Sequence, residues 1–330
     1  MAFEKLIKAQ PQVVQLLENS IKKNRLSHAY LFEGERGTKK FEMAQFLAMR
    51  LLCTSDDKPC GECHNCRRIK NRTHPNVYVI EPIKNTIRKQ QVIDLQIEFS
   101  KTSVEPGPKV YIIRNIERIN VQAANSLLKF LEEPTSHIHA ILTTENANRL
   151  LPTIISRSQV VSFTSVPDTI IKQELVEEGY PEETSSIASR LTNSTTDAFD
   201  IASGDFFIDV VDLVKDIYNI INKNEESVII YFQENSSIIY QDGESNNLFL
   251  SLMVLYQKDI LNYYMGDMNN IVFRNEMNTI GSIAKVKPKK RLIDELEHML
   301  SLQTRMSSYI NKNLAYDNLL LSLEKRVSNG

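Results

Sequence analysis

The chain has 330 residues, 39 Lys and Arg against 41 Asp and Glu, a formal charge of −2 and 42% hydrophobic residues. That length supports two or three domains with ample core at about 100–200 residues each, and the near-zero charge excludes a basic nucleic-acid coat, so any DNA contact has to be local. Residues 1–24 are amphipathic and mixed in charge, unlike a secretory signal, and the longest uncharged apolar run, 245–257, has 13 residues, too few to span a bilayer. A cytoplasmic protein with no membrane partner is expected.

Along residues 1–163, apolar runs of strand length at 29–32, 77–80, 110–113, 140–142 and 160–163 alternate with helical-length segments. This predicts an α/β domain with a mostly parallel sheet covered by helices on both faces. The first run leads into Gly34-Glu35-Arg36-Gly37-Thr38-Lys39-Lys40-Phe41, where a helix should begin. A phosphate-binding loop reads GxxxxGK[ST], its backbone amides cradling phosphates, its Lys reaching the terminal phosphates and its hydroxyl holding Mg2+. Gly34 and Lys40 match that pattern, whereas Lys39 replaces the second required Gly and Phe41 replaces the hydroxyl. A phenyl ring cannot ligate magnesium, and a Cβ at 39 restricts the backbone that should turn its amides inward.

All four cysteines of the chain, Cys53, Cys60, Cys63 and Cys66, fall within 14 positions. A disulfide framework ties distant segments together, whereas tetrahedral ligation needs four thiolates at one point, so the cluster reads as a closed, structural zinc site. Iron, unligated thiols and thiol redox chemistry are the alternatives. The basic residues that follow, Arg67, Arg68, Lys70 and Arg72, then Lys84, Arg88 and Lys89, could face a phosphate backbone, though an ordinary solvated surface is the simpler reading.

The third apolar run ends in Arg114-Asn115, where a nucleotide-hydrolysing site needs an acid pair for magnesium and water; Glu117 is the nearest carboxylate. Residues 121–133 then repeat Ala124, Leu127, Leu128 and Leu131 at helical spacing and are stopped by Pro134. With both halves of the nucleotide site broken, no functional ATP or Mg site and no intrinsic hydrolysis are expected, and the loop is read as one that now only packs. From 168 to 200 the chain is acidic and free of strand-like runs, with Pro167 marking a boundary, and from about 206 onward it is helical in long segments at 207–222, 248–265, 289–309 and 313–326. The tract Lys285-Val286-Lys287-Pro288-Lys289-Lys290-Arg291 is its one basic run, read as a solvated loop entering a helix.

The order of these elements resembles a known family. The phosphate loop, the four-Cys module after the first helix, KVYII, Asn125 to Pro134 (NSLLKFLEEP), Leu142 to Asn146 (LTTEN) and Leu151 to Ser158 (LPTIISRS) are similar to the AAA+ subunits of the bacterial DNA polymerase III clamp loader. The ruined loop and the missing acids look like its delta-prime members, not its gamma/tau ATPases. The resemblance implies a RecA-like AAA+ domain at 1–163 carrying the zinc module at 53–66, a small helical lid at 164–205 and an all-helical collar for oligomerisation at 206–330. It implies gamma/tau and delta partners in a hetero-oligomeric ring, a sliding clamp reached through that assembly, primer-template DNA held by non-specific backbone contacts, and membership of a DNA-directed DNA polymerase (nucleotidyltransferase) complex. It also implies that Arg157, flanked by Ser156 and Ser158, acts in trans on a neighbour's nucleotide, where a guanidinium stabilises the charge of phosphoryl transfer; the alternative is an arginine that merely pairs with a carboxylate at the domain hinge. The family's third position is commonly Cys and here is Ser158. Thr143 and Thr144 stand where an active relative senses the γ-phosphate and read as vestigial. Two rivals remain: an active gamma/tau-type ATPase and a zinc-dependent DNA-binding adaptor.

Overall fold

The computed structural model describes residues 3–100, 105–132, 138–223, 226–240, 243–305 and 311–324. The chain forms two compact units, Met1–Ile170 and Ile171–Gly330. In the first, strands β1 (Ala29–Glu33), β2 (Val77–Ile80), β3 (Lys109–Ile113), β4 (Ile138–Thr144) and β5 (Gln159–Ser162) make one sheet in the order β2-β3-β4-β1-β5, every pairing parallel. Helices α1 (Glu4–Ala9), α2 (Pro11–Lys22), α3 (Lys40–Leu52), α4 (His64–Lys70), α5 (Lys89–Ser100), α6 (Val121–Glu132) and α7 (Pro152–Ile155) surround it. Alternate strand residues divide between two cores. Tyr30, Phe32, Val110, Ile112 and Ile141 pack with Met43 and Leu47 of α3 and Leu17 of α2, while Leu31, Tyr111, Ile113 and Leu142 pack with Leu95 of α5 and Leu127 of α6. That is the two-sided burial a parallel sheet requires.

The expected strands are present with small shifts. The fourth is longer than its apolar core at 140–142, because β4 pairs with both β1 and β3 and so draws Ile138, His139, Thr143 and Thr144 into the ladder. The amphipathic helix at 121–133 appears as α6, which is described to Glu132; Glu133 and Pro134, the expected stop, lie outside the described residues.

The remaining elements are all helical: α8 (Asp168–Glu177), α9 (Glu182–Leu191), α10 (Thr195–Ala202), α11 (Phe207–Lys223), α12 (Val228–Asn235), α13 (Gly243–Met265), α14 (Met277–Val286), α15 (Lys289–Arg305) and α16 (Lys312–Glu324). The ends expected for the last two helices, 306–309 and 325–326, lie outside the described residues. The long helix α13 is the axis of the second unit, with α11, α14 and α15 against it and Tyr218 stacked on Tyr256 at 4.1 Å. No helix among the described residues is long and apolar enough to cross a membrane.

The basic tract at 285–291 is not wholly the solvated loop its composition suggests. Lys287 is buried, and its ammonium donates to both carboxylate oxygens of buried Glu295 at 2.8 and 3.0 Å and to the Leu323 carbonyl at 3.1 Å. Arg291 joins the same carboxylate at 2.9 Å and also reaches the Ser322 and Leu323 carbonyls. Two cations of the tract therefore hold the last described turn of α16 through its carbonyls.

Candidate functional site

The carboxyl ends of β1, β3 and β4 converge where an open α/β sheet places its ligand. Gly34 is required there by packing, since a Cβ would lie 2.9 Å from both Cβ and O of Phe163. Gly37 and Lys39 both take positive φ, 78° and 65°. Lys39 thus adopts a left-handed turn that a Gly would adopt freely, a strain of about 1–2 kcal/mol for a residue with a Cβ. Gln10, at the junction of α1 and α2, ties it down: its side-chain amide donates to the Thr38 carbonyl at 3.1 Å and the Thr164 carbonyl at 2.6 Å.

The loop's own lysine is engaged with its backbone. The Lys40 ammonium is turned back onto the Gly34 carbonyl, the Glu35 carbonyl at 2.6 Å and Thr38 Oγ1 at 3.3 Å. Burial pushes its pKa down, opposed by the charges of Glu145, Glu117, Glu42 and Glu35. Next to it, at the sequence position of the pattern's hydroxyl, the Phe41 ring lies under two guanidiniums, with Arg114 Cζ 4.3 Å and Arg72 Cζ 4.9 Å from its centroid. Both arginines pair with Glu81, Arg72 at 3.1 Å. Burial pushes the Glu81 carboxyl up, and the two guanidiniums outweigh it and hold it below the usual carboxylate value. A nucleotide site needs an anionic end of β3 to hold a divalent cation; here a fixed cation–π stack and ion pair occupy that end. Asn115, the second lost acid, takes a left-handed turn, and its amide donates to Thr143 Oγ1 at 3.1 Å. Thr144 Oγ1 closes a local turn with Asn146 at 3.2 and 3.3 Å. Both threonines are buried and engaged with the backbone.

The four cysteines do converge: one ligand atom from each of Cys53, Cys60, Cys63 and Cys66 lies within 4.8 Å of the others. The helix α3 ends at Cys53 and α4 is capped by Cys63, whose sulfur accepts from the Cys66 amide at 3.5 Å. The Cys60 sulfur likewise accepts from the Cys63 amide at 3.3 Å. Burial raises the Cys63 thiol, but amide donors from Cys66 and Thr54 outweigh it and bring it down to about 5, while burial pushes the Cys66 thiol up. Four sulfurs this close cannot all ionise without a cation among them, and a soft divalent ion with tetrahedral preference fits the set.

The third feature is Arg157, just past α7 with its side chain 34% exposed. Its Nη1 donates to the Thr153 carbonyl at 3.1 Å and to Ser156 Oγ at 3.4 Å, and its Nη2 pairs with Glu132 at 2.7 Å. Ser158 Oγ donates to the Ile154 carbonyl at 3.0 Å, fixing the turn without touching the guanidinium. Among the basic residues considered for DNA, Arg68 is committed to Glu105 at 2.6 Å and Arg72 to Glu81, whereas Arg67, Lys70, Lys84, Arg88 and Lys89 are exposed. Three residues of the site were not singled out by sequence reasoning: Gln10, Glu81 and Glu132. None of the three had a signal in the sequence alone; Glu81 is set level with Arg114 by the register Ile80↔Ile113, which the structure supplies.

Comparison with known proteins follows the same lines. Residues 9–167 match the family described as DNA polymerase III, delta subunit. Over 326 residues the chain is 31% identical to the DNA polymerase III subunit delta' of Bacillus subtilis, covering 98% of this chain and 99% of that protein. Against the tau subunit of the same organism the identity is 29% over 288 residues, covering 79% of this chain and 50% of tau. A gamma subunit-related protein of Thermotoga maritima superposes with a TM-score of 0.42 at 18% identity, covering 94% of this chain and 99% of that one. By its end-to-end match, the chain belongs to the family of DNA polymerase III delta-prime subunits.

Proposed function

We propose that this chain is a non-hydrolysing subunit of a clamp loader, which helps a DNA polymerase III holoenzyme place its sliding clamp on primed DNA. In this reading it presents Arg157 to the nucleotide of an adjacent gamma/tau ATPase subunit and gives the ring a rigid member. One observation supports the reading: Lys40 is turned onto its own loop and Phe41 is stacked under Arg72 and Arg114, where a phosphate loop and its acid pair would hold phosphate and magnesium, while a conformationally held arginine stands on the surface of the same unit. Such a chain has no catalysis of its own to perform and retains the group that completes another's.

Residues 164–205 would then be the lid and 206–330 the collar that docks the chain among gamma/tau and delta partners. Zinc at Cys53, Cys60, Cys63 and Cys66 would stiffen the link between α3 and α4. Contacts to primer-template DNA would be few and directed at the backbone, through exposed cations such as Lys84, Arg88 and Lys89. Nucleotidyl transfer would belong to other chains of the complex, in the cytoplasm. The rival of an active ATPase lacks its magnesium ligands, and a zinc-dependent DNA adaptor leaves the retained arginine without a role.

Titrating the isolated, metal-replete chain with a fluorescent ATP analogue and magnesium tests the first half of the proposal. The expected result is neither saturable binding nor turnover; magnesium-dependent binding with hydrolysis would restore the ATPase reading.

A further inference from the structure

We infer that Glu132 is a latch for Arg157: its carboxylate keeps the guanidinium on this chain's own surface until a neighbouring nucleotide competes for it. The inference rests on the trans-acting reading of Arg157 and adds a residue that governs when the arginine is available.

Glu132 is the last residue described for α6, a half-exposed carboxylate that a cation of the same unit can reach. Arg157 is that cation, at 2.7 Å, brought in by the packing of α6 against α7. On its other side the guanidinium is fixed by the Thr153 carbonyl and the Ser156 hydroxyl. Both terminal nitrogens are therefore in use. Phosphate recognition by arginine draws on the same paired donors, and a carboxylate and a triphosphate in contact with one guanidinium repel each other. Handing the arginine to a neighbour means breaking the pair with Glu132.

The pair is also weak enough to break. Its partners are 34% and 48% exposed, and an exposed ion pair shifts the balance of paired to free side chain by no more than about fivefold. The free fraction sets the apparent activity of the arginine. Release should thus be limiting when the ring is loosely assembled, and cease to matter when clamp and DNA press the subunits together.

The test is ATP hydrolysis by the reconstituted complex, with and without clamp and primed DNA, for wild type, Glu132→Gln, Glu132→Asp, Arg157→Ala and the Glu132→Gln/Arg157→Ala double variant. The latch requires Glu132→Gln to raise the Arg157-dependent part of the unstimulated rate, wild type less Arg157→Ala, about two- to fivefold and leave the stimulated maximum unchanged, so that the stimulation ratio of that part falls by the same factor. Glu132→Asp should stay near wild type, and Glu132→Gln should add nothing once Arg157 is gone. An unchanged ratio in Glu132→Gln, or a lowered stimulated rate, overturns the latch while Arg157→Ala still reports on the arginine itself. A wild-type rate in Arg157→Ala overturns both. Glutamine is isosteric with glutamate, and co-elution of the complex in gel filtration verifies assembly of every variant.

Discussion

Removing the metal from Cys53, Cys60, Cys63 and Cys66 should destabilise the first unit and leave the second intact. Cys53, Cys66 and Ile69 are 3%, 0% and 1% exposed and belong to the core that contains Phe46 and Leu47. The helix that carries two of them, α4, has seven residues and cannot persist without tertiary support. Once the four-point cross-link is lost, α4 leaves its seat. Exposing an isoleucine costs about 2–3 kcal/mol and each thiol-sized side chain about 1 kcal/mol, so the unit should lose about 4–5 kcal/mol, a large part of an ordinary domain's stability. The assay is differential scanning calorimetry before and after a mercurial thiol reagent and chelator, with released metal counted by plasma emission. One metal per chain and a large fall in one of two transitions are expected. An unmoved melting profile after complete metal loss, or a chain purified under reducing conditions with no metal, would refute the reasoning.

Lys39→Gly should stabilise the fold by about 0.5–1 kcal/mol in urea denaturation, because it relieves a left-handed residue at the cost of a more flexible unfolded chain. It should not create ATP turnover, since Phe41 and Arg114 remain. Lys287→Met should cost about 3 kcal/mol, because it leaves the buried Glu295 carboxylate with Arg291 and Gln257 alone; adding Glu295→Gln should recover much of that loss. Asp259 is buried on α13, its Oδ2 accepting from the Val272 and Phe273 amides at 2.8 Å each, and burial outweighs these bonds and pushes its carboxyl up to about 6. The folded state therefore binds the proton more tightly than the unfolded chain, whose value is about 4. This contribution to stability is present below pH ~4 and is lost as pH rises through about 6. Relative to wild type, Asp259→Asn should flatten stability across that window in chemical denaturation at stepped pH; parallel curves would exclude the assignment.

How much of this could be read in the chain depended on how local each signal was. The β2 run Val77–Ile80 and the helix α6 are spelled by apolar periods that burial then satisfies directly. The four cysteines announced their convergence by spacing, because two overlapping CxxC turns leave little freedom in where their sulfurs go. The loop's departures from the phosphate-binding pattern were legible in Lys39 and Phe41, but the contacts made there were not: the Phe41 stack with Arg72 and Arg114 joins three distant segments, and only the sheet register brings them together. The same limit explains Lys287, which reads as solvated until Glu295, two turns along the next helix, is seen to be buried. Glu132 gave no signal of its own, because its contact with Arg157, 25 positions later, depends on the packing of α6 against α7.

The central claim is that this chain completes a neighbour's nucleotide site, and the most direct test is clamp- and DNA-stimulated ATP hydrolysis by the reconstituted complex, comparing wild type with Arg157→Ala at saturating ATP. Loss of an arginine that stabilises phosphoryl transfer is worth on the order of a thousandfold at the site it serves, so the total rate should fall by that site's full share while the complex still assembles and binds ATP. An unchanged rate in an intact complex would contradict the account and leave the chain a scaffold alone.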